Sequence, residues 1–327
     1  MFVCSDNLKK SVDNFKTDTT LYDSIPKEFS RFKNKTFLEW EIPPWELFIF
    51  KDKLIGSGSF SNVYLAKWRE TLVVAKVINK DICEEKQKLL FIREIEIMTK
   101  LHHPNIVQFL GYIDSPFIII MEYIPEKNLL DCTPRLNLKQ KISVTKDIFQ
   151  GLAYFHNRIP ESLIHRDIKP TNILLTTSKK AKIADFGLSR LYHLENMKRT
   201  LSSENIDNPP ENNEKKEDQW TGDVGTRRYM SPELVDIIKS KNMNFTYSNK
   251  IDIYSCGIML YELFESKRYF PGEVRSWIKS PKYIKNMIEE HMLCINPEKR
   301  DDALTLLRNL NNYEGENVNT CCGFLIK

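Results

Sequence analysis

Eight consecutive residues, His165-Arg166-Asp167-Ile168-Lys169-Pro170-Thr171-Asn172, carry a carboxylate, an ammonium and an amide at fixed spacing. Asp185-Phe186-Gly187 follows, with Asp185 eighteen residues after Asp167. Together the two segments assemble a carboxylate, an ammonium, an amide and a second carboxylate, in that order, for one centre. Whatever this chain folds into must bring both segments to one point.

The patterns around them say which kind of fold does this. Leu47 to Leu54 is rich in Phe, Ile and Leu, and it reads as a strand. Asn62 to Lys67 and Leu72 to Ile78 read as two more, with spacing suited to an antiparallel meander. Glu84 to Leu101 places Leu89, Leu90, Ile92, Ile95, Ile97, Met98 and Leu101 at helical spacing. Phe117 to Tyr123 reads as a buried strand. Leu138 to Asn157, Ile251 to Glu265 and Tyr283 to Cys294 read as helices. Strand patterns segregated from helix patterns argue for a bilobal α+β protein rather than alternating β/α units. Residues 1–47 are expected to form a flexible N-terminal extension, a solvated tail or a docking arm, in which Pro43 and Pro44 exclude helix. Residues 48–311 form the expected domain and 312–327 a C-terminal tail. Asn205 to Gln219 is dominated by Asn, Pro, Glu, Lys and Asp, which cannot form a core. Residues 196–219 are therefore expected to be a disordered insertion, with an interdomain linker as the alternative.

The residue types point to phosphoryl transfer. That chemistry needs a base or positioning group, a cation for the moving phosphate and ligands for a divalent metal. Asp167 suits the first role, Lys169 the second, and Asn172 and Asp185 the third. Between the first two predicted strands runs Ile55-Gly56-Ser57-Gly58-Ser59-Phe60-Ser61-Asn62-Val63. Its glycines permit close approach of backbone to phosphate. Lys76 is the one charged residue of Val73-Val74-Ala75-Lys76-Val77, and a lysine there requires a carboxylate to hold it. Glu94 and Glu96, both on the predicted helix, are the candidates for that partner.

These motifs resemble those of the eukaryotic-type protein kinase family, and the resemblance covers about residues 48 to 311. It implies a small β-rich lobe with one main helix and a larger helical lobe. It also implies ATP and Mg²⁺ as cofactors, with Mn²⁺ as an alternative ion. By the same resemblance the glycine-rich loop from Ile55 to Val63, with Ala75, Lys76, Glu94, Met121, Glu122, Tyr123 and Leu174, surrounds the nucleotide. Ser61 departs from the family pattern, standing where a third glycine is usual. Met121 matches the residue that guards the pocket behind the adenine, and its bulk implies poor access there. His165 and Phe186 resemble members of a packed column with Met98 and Phe109. Ser231-Pro232-Glu233 resembles the end of an activation segment, with Glu233 paired to Arg300. Asp252 resembles the aspartate that anchors the catalytic loop from below.

Lys169, with Thr226 after Gly225, implies Ser/Thr acceptors, and Thr226 joins Asp167 and Lys169 as a catalytic residue. Trp68 to Lys76 and Arg227 to Met230 resemble the tyrosine-kinase-like branch of Ser/Thr kinases. Dual specificity toward Tyr stays open, as does a nucleotide-binding pseudokinase scaffold. Arg166 implies control by phosphorylation, at Thr221 first, with Ser202 and Ser203 as alternatives. An activating kinase or autophosphorylation in trans would supply that phosphate.

Bulk properties narrow the partners. The 48 basic and 44 acidic residues leave a net charge of +4, an ordinary mixed surface that does not call for nucleic acid. Protein substrates and ATP are the expected partners. The apolar run Phe117 to Met121 is too short to span a bilayer. Met1 to Lys10 lacks the apolar core of a signal peptide. Seven scattered cysteines with no Cys-x-x-Cys pair suit reduced thiols. An intracellular, cytoplasmic location is the expectation.

Overall fold

A computed structural model describes residues 38–58, 60–79, 84–193, 227–240, 248–270 and 273–322. The first lobe is a five-stranded antiparallel sheet of order β1-β2-β3-β5-β4. Its strands are β1 (Leu47–Ser57), β2 (Ser61–Trp68), β3 (Thr71–Ile78), β4 (Phe109–Ile113) and β5 (Ile118–Glu122). The runs Val73-Val74 and Ile118-Ile119-Ile120 favour extended backbone because branching at Cβ stiffens the side chain. Helix α1 (Glu84–Met98) buries Phe91, Ile95 and Met98.

In the second lobe α2 (Leu129–Cys132) precedes α3 (Leu138–His156). Asn137 and Gln140 form a reciprocal capping box that starts α3 where sequence periodicity places it. Two short antiparallel pairs follow. β6 (Glu161–Ile164) pairs with β9 (Arg190–His193), and β7 (Ile173–Leu175) pairs with β8 (Ala181–Ile183). Helices α4 (Pro232–Ser240), α5 (Lys250–Glu265), α6 (Lys282–His291) and α7 (Ala303–Cys322) complete the lobe. α5 is buried around nearly its whole circumference, so it is the internal axis of the lobe. The α+β bilobal architecture expected from the segregated patterns is present.

Two boundaries differ from expectation. Packed structure begins at residue 38, inside the segment read as a flexible extension, because Trp40 and Ile42 have apolar surface to bury. Ile42 donates its N–H to the Tyr112 carbonyl at 2.8 Å, and Trp40 packs on Phe109 with ring centroids 5.3 Å apart. At the other end, the last helix does not stop at residue 311 but runs to Cys322, with no proline to end it. β4 escaped the strand reading because Gly111 interrupts its pattern. That glycine is required, since a Cβ there would lie 2.6 Å from Ile42 Cδ1 and from the Trp40 carbonyl oxygen. Ser59, Thr226, Thr221, Ser202, Ser203 and the 196–219 insertion lie outside the described residues.

Glu233 and Arg300 meet as expected. The fully buried guanidinium donates to Glu233 at 2.6 and 2.8 Å and to the Cys294 carbonyl at 2.8 Å. Removing one partner strands the other's charge in low dielectric. Arg300→Met is therefore expected to lose about 3–5 kcal/mol of stability in denaturant unfolding. A loss below about 1 kcal/mol would mean that solvent screens the pair.

Candidate active site

The site is assembled from both lobes around Lys76. Residue 76 lies on the central strand β3, opposite Val63 of β2 and Ile119 of β5. Its ammonium donates to Glu94 Oε1 and Oε2 at 2.7 and 2.9 Å, and to Asp185 Oδ1 at 2.8 Å. Glu94 comes from α1, and Asp185 from the loop after β8, so one cation ties helix, sheet and second lobe together. Burial works against the charge on Lys76, but Asp185 and Glu94 outweigh it and raise its pKa. The Lys76 charge beside Asp185 holds that carboxyl down, at about 2. Glu96, the rival to Glu94, points elsewhere and pairs with Lys100. Gly187 sits against this cluster, where a Cβ would lie 3.4 Å from both Glu94 Oε2 and Lys76 Nζ.

The second group gathers on the catalytic loop. Lys169 Nζ lies 2.8 Å from Asp167 Oδ2. Asn172 Nδ2 donates to the same oxygen at 2.9 Å and to the Asp167 carbonyl at 2.8 Å. The loop is held from below by Asp252 of α5, which accepts from the His165 and Arg166 N–H groups, both at 2.8 Å. That grip accommodates Arg166 at φ 72°, a left-handed conformation that a non-glycine residue adopts at a cost. Asp185 is likewise left-handed, at φ 64°. Burial opposes ionisation of Asp252, yet hydrogen bonds led by His156 bring its pKa below the usual value. His156 Nε2 lies 2.9 Å from Asp252 Oδ2. This supporting histidine was not found by sequence reasoning, because at the end of a helix it carries no distinguishing pattern.

Met98, Phe109, His165 and Phe186 are all buried, and the His165 and Phe186 rings stand 4.8 Å apart. Met121 is buried on β5. Glu122 is committed within the protein. Its N–H donates to the Gln108 carbonyl at 3.0 Å, and its carboxylate accepts from Lys182 at 2.6 Å and from the Gln108 N–H at 2.7 Å. The Lys182 contact was also missed, since nothing in the sequence links two positions sixty residues apart. Tyr123 follows Glu122 into the connection between lobes, and Leu174 sits on β7 opposite Lys182. Ala75, expected beside the nucleotide, instead faces away from it: it directly precedes Lys76 on β3, so its side chain points to the other side of the sheet, where it is buried with Ile42, Val73, Ile113 and Ile118. The glycine-rich loop is closed by the Gly58 N–H on the Ser61 carbonyl at 2.9 Å and by Asn79 Nδ2 on the Gly58 carbonyl at 3.0 Å. Ser57 Oγ bonds Asn62 Oδ1 at 2.7 Å, and Gly56 faces Val63. Ile55 and Phe60 flank the turn, Ile55 with an exposed side chain. Ser61 opens β2 and is buried opposite Ile78, which explains how a serine is accommodated where a third glycine is usual.

Two features suit this cleft to a nucleotide, a metal ion and an acceptor. Asp167 Oδ1 is buried and has no hydrogen-bond partner among the described residues, so it awaits a donor. The Asn172 amide oxygen and the second Asp185 oxygen are hard ligands of the type Mg²⁺ prefers. Among the described residues no three His, Cys, Asp or Glu side chains are grouped to hold a metal alone. A cation here would take its remaining ligands from phosphate and water, the usual coordination of Mg²⁺ at a nucleotide.

A β-sheet lobe and a helical lobe, joined by a buried lysine and two carboxylates, define the architecture of a phosphotransfer enzyme class. The chain belongs to the protein kinase family: the protein kinase domain model matches residues 50–317. It is 34% identical over 240 residues to the serine/threonine-protein kinase VIK of Arabidopsis thaliana, covering 71% of this chain and 49% of that protein. It is 32% identical over 228 residues to the serine/threonine-protein kinase CTR1 of the same plant, covering 67% and 24%. The dual specificity protein kinase pyk3 of Dictyostelium discoideum is 31% identical over 222 residues, covering 67% and 14%. The chain thus spans half or less of each of these relatives.

Asp167 yields a stability prediction. Burial raises its pKa, with Lys169 opposing. A carboxyl whose folded pKa exceeds its unfolded pKa binds its proton more tightly in the fold, so stability rises as pH falls through that window. At neutral pH the ionised group therefore detracts from stability. Asp167→Asn is expected to leave the melting temperature at pH 7 unchanged or higher. A fall of several degrees would mean that the carboxylate stabilises the fold.

Proposed function

We propose that this protein is a Mg²⁺-ATP-dependent protein kinase that phosphorylates Ser and Thr hydroxyls of protein substrates. The observation that carries this reading is the Lys76 bridge between Glu94 and Asp185, because it sets a phosphate-binding cation and a metal-binding carboxylate side by side. Mg²⁺-ATP, when bound, supplies the γ-phosphoryl group. Lys76 and the backbone of residues 55–63 hold the phosphates, while Met121, Glu122, Tyr123 and Leu174 form the walls of the nucleotide site. Asn172 and Asp185 hold the metal ion. Asp167 Oδ1 orients the acceptor hydroxyl and takes its proton as the oxygen bonds to phosphorus and the bond to ADP breaks. Lys169, 2.8 Å from Asp167, offsets charge moving to the phosphoryl oxygens.

Lys169 and Thr226 favour Ser/Thr acceptors, and Trp68 to Lys76 with Arg227 to Met230 favour the tyrosine-kinase-like branch, while likeness to the dual-specificity relative keeps Tyr as a second acceptor class. None of the groups whose loss would leave a mere scaffold is missing. The proposed domain spans 47–322, with 38–46 packed on it as a lead-in. Among the described residues no helix is long and apolar enough to cross a membrane. A cytoplasmic setting, where ATP and reduced thiols coexist, suits the reading.

With Mg²⁺-ATP and a generic protein substrate, Asp167→Asn and Asp185→Asn are each expected to slow transfer by at least about a hundredfold. Chelating the divalent ion should abolish transfer, and phosphoamino-acid analysis should return phosphoserine and phosphothreonine. Wild type no faster than Asp167→Asn sinks the proposal. As pH falls, kcat/KM should drop along an acid limb centred above 3.8, the ordinary aspartate value, because burial raises Asp167 in the free enzyme. Asp185, held at about 2, stays ionised through that limb.

A further inference from the structure

A second concavity lies beside the catalytic loop. It has a volume of about 210 Å³ and a floor that includes Leu129, Pro134, Met259 and Leu263, closed on one side by Pro170. Pro170 belongs to the same loop as Asp167, three residues on, so the cavity shares a wall with that loop. Its size is below the roughly 300–1,000 Å³ of small-molecule sites and suits one large side chain.

The solvent-facing charge at this cavity is positive. Glu262 is the acidic lining residue, but it is buried and turned inward. Its Oε2 accepts from the Tyr229 hydroxyl at 2.7 Å and its Oε1 from the Tyr269 N–H at 2.9 Å. Lys267 and Arg268 also line the cavity, are exposed, and make no ion pair among the described residues. They are aimed there by Ser266, which ends α5 in a left-handed conformation at φ 53°. Beneath that turn the buried Lys141 Nζ caps the helix end, 3.4 Å from the Phe264 carbonyl and 3.2 Å from Ser266 Oγ.

We infer that this cavity is a substrate-selecting subsite. It seats one large apolar side chain of the phosphorylated segment between α2 and α5, and Lys267 and Arg268 select an acidic residue beside it. The inference rests on the protein kinase activity proposed above and adds the substrate class. Exposed cations meeting a carboxylate contribute modestly per pair, so the selection takes the form of a graded preference.

The test is a set of Ser peptides that carry Glu, Gln or Lys, and Phe or Gly, at each position flanking the acceptor. At some flanking position wild type should favour Glu over Lys by roughly fivefold or more in kcat/KM, the sum of two exposed ion pairs. The preference should shrink at high salt. An adjacent Phe should improve on Gly. The Lys267→Glu/Arg268→Glu variant should reverse the charge preference, and Lys267→Ala/Arg268→Ala should flatten it. Peptides phosphorylated by wild type with Glu and Lys equal at every position overturn the subsite while leaving the kinase reading intact. A preference for Lys overturns it too, as does an acidic preference that survives both double variants. No transfer beyond that of Asp167→Asn defeats the activity and the subsite together.

Discussion

The carboxylate of Asp252 is the interaction on which the catalytic apparatus depends. It is wholly buried on the central helix α5, and it accepts two backbone N–H bonds from His165 and Arg166 as well as the contact with His156. Hydrogen bonds to a charged acceptor contribute about 1.5–3 kcal/mol each, enough to hold Arg166 in a left-handed conformation that it would otherwise leave. The next residue is Asp167, so the direction of its side chain follows from that constrained backbone. Helix α5 can carry a buried charge because its other faces bury Ile253, Ile258, Leu260 and Leu263, which set it rigidly in the lobe.

Lys76 plays the complementary part between the lobes. It reaches Glu94 on α1 and Asp185 in the loop beyond β8, so displacement of α1 would leave a buried cation short of one counter-charge. The same helix contributes Met98 to the column of Phe109, Phe186 and His165. Trp40 packs on Phe109, which carries the lead-in residues 38–46 into contact with that column. Positioning of α1, of the Asp185 loop and of the lead-in is therefore one packing problem rather than three.

Much of this was legible in the sequence because catalysis demands particular side chains at short range. Asp167, Lys169 and Asn172 are five residues apart at most, and one loop holds them together. The strands Leu47–Ser57, Ser61–Trp68 and Thr71–Ile78 and the helix Leu138–His156 follow from local period and from the Asn137 cap. Less legible were β4, whose Gly111 masks its strand character, and the lead-in, where Trp40 and Ile42 stand outside any sustained period. Contacts such as Lys182 with Glu122, or His156 with Asp252, join residues distant in the chain, and no local rule reports them.

The sequence by itself determined the chemical groups, their order and the α+β class. Motif spacing and periodicity are local properties, and the chain writes them directly. The tertiary structure decided which carboxylate holds Lys76, which atoms of Glu122 are spent inside the protein, and that Asp167 Oδ1 alone of its carboxylate has no hydrogen-bond partner among the described residues. Each is a matter of direction and burial. A side chain's partner depends on where the folded backbone points it, and its pKa on how much water the neighbours exclude.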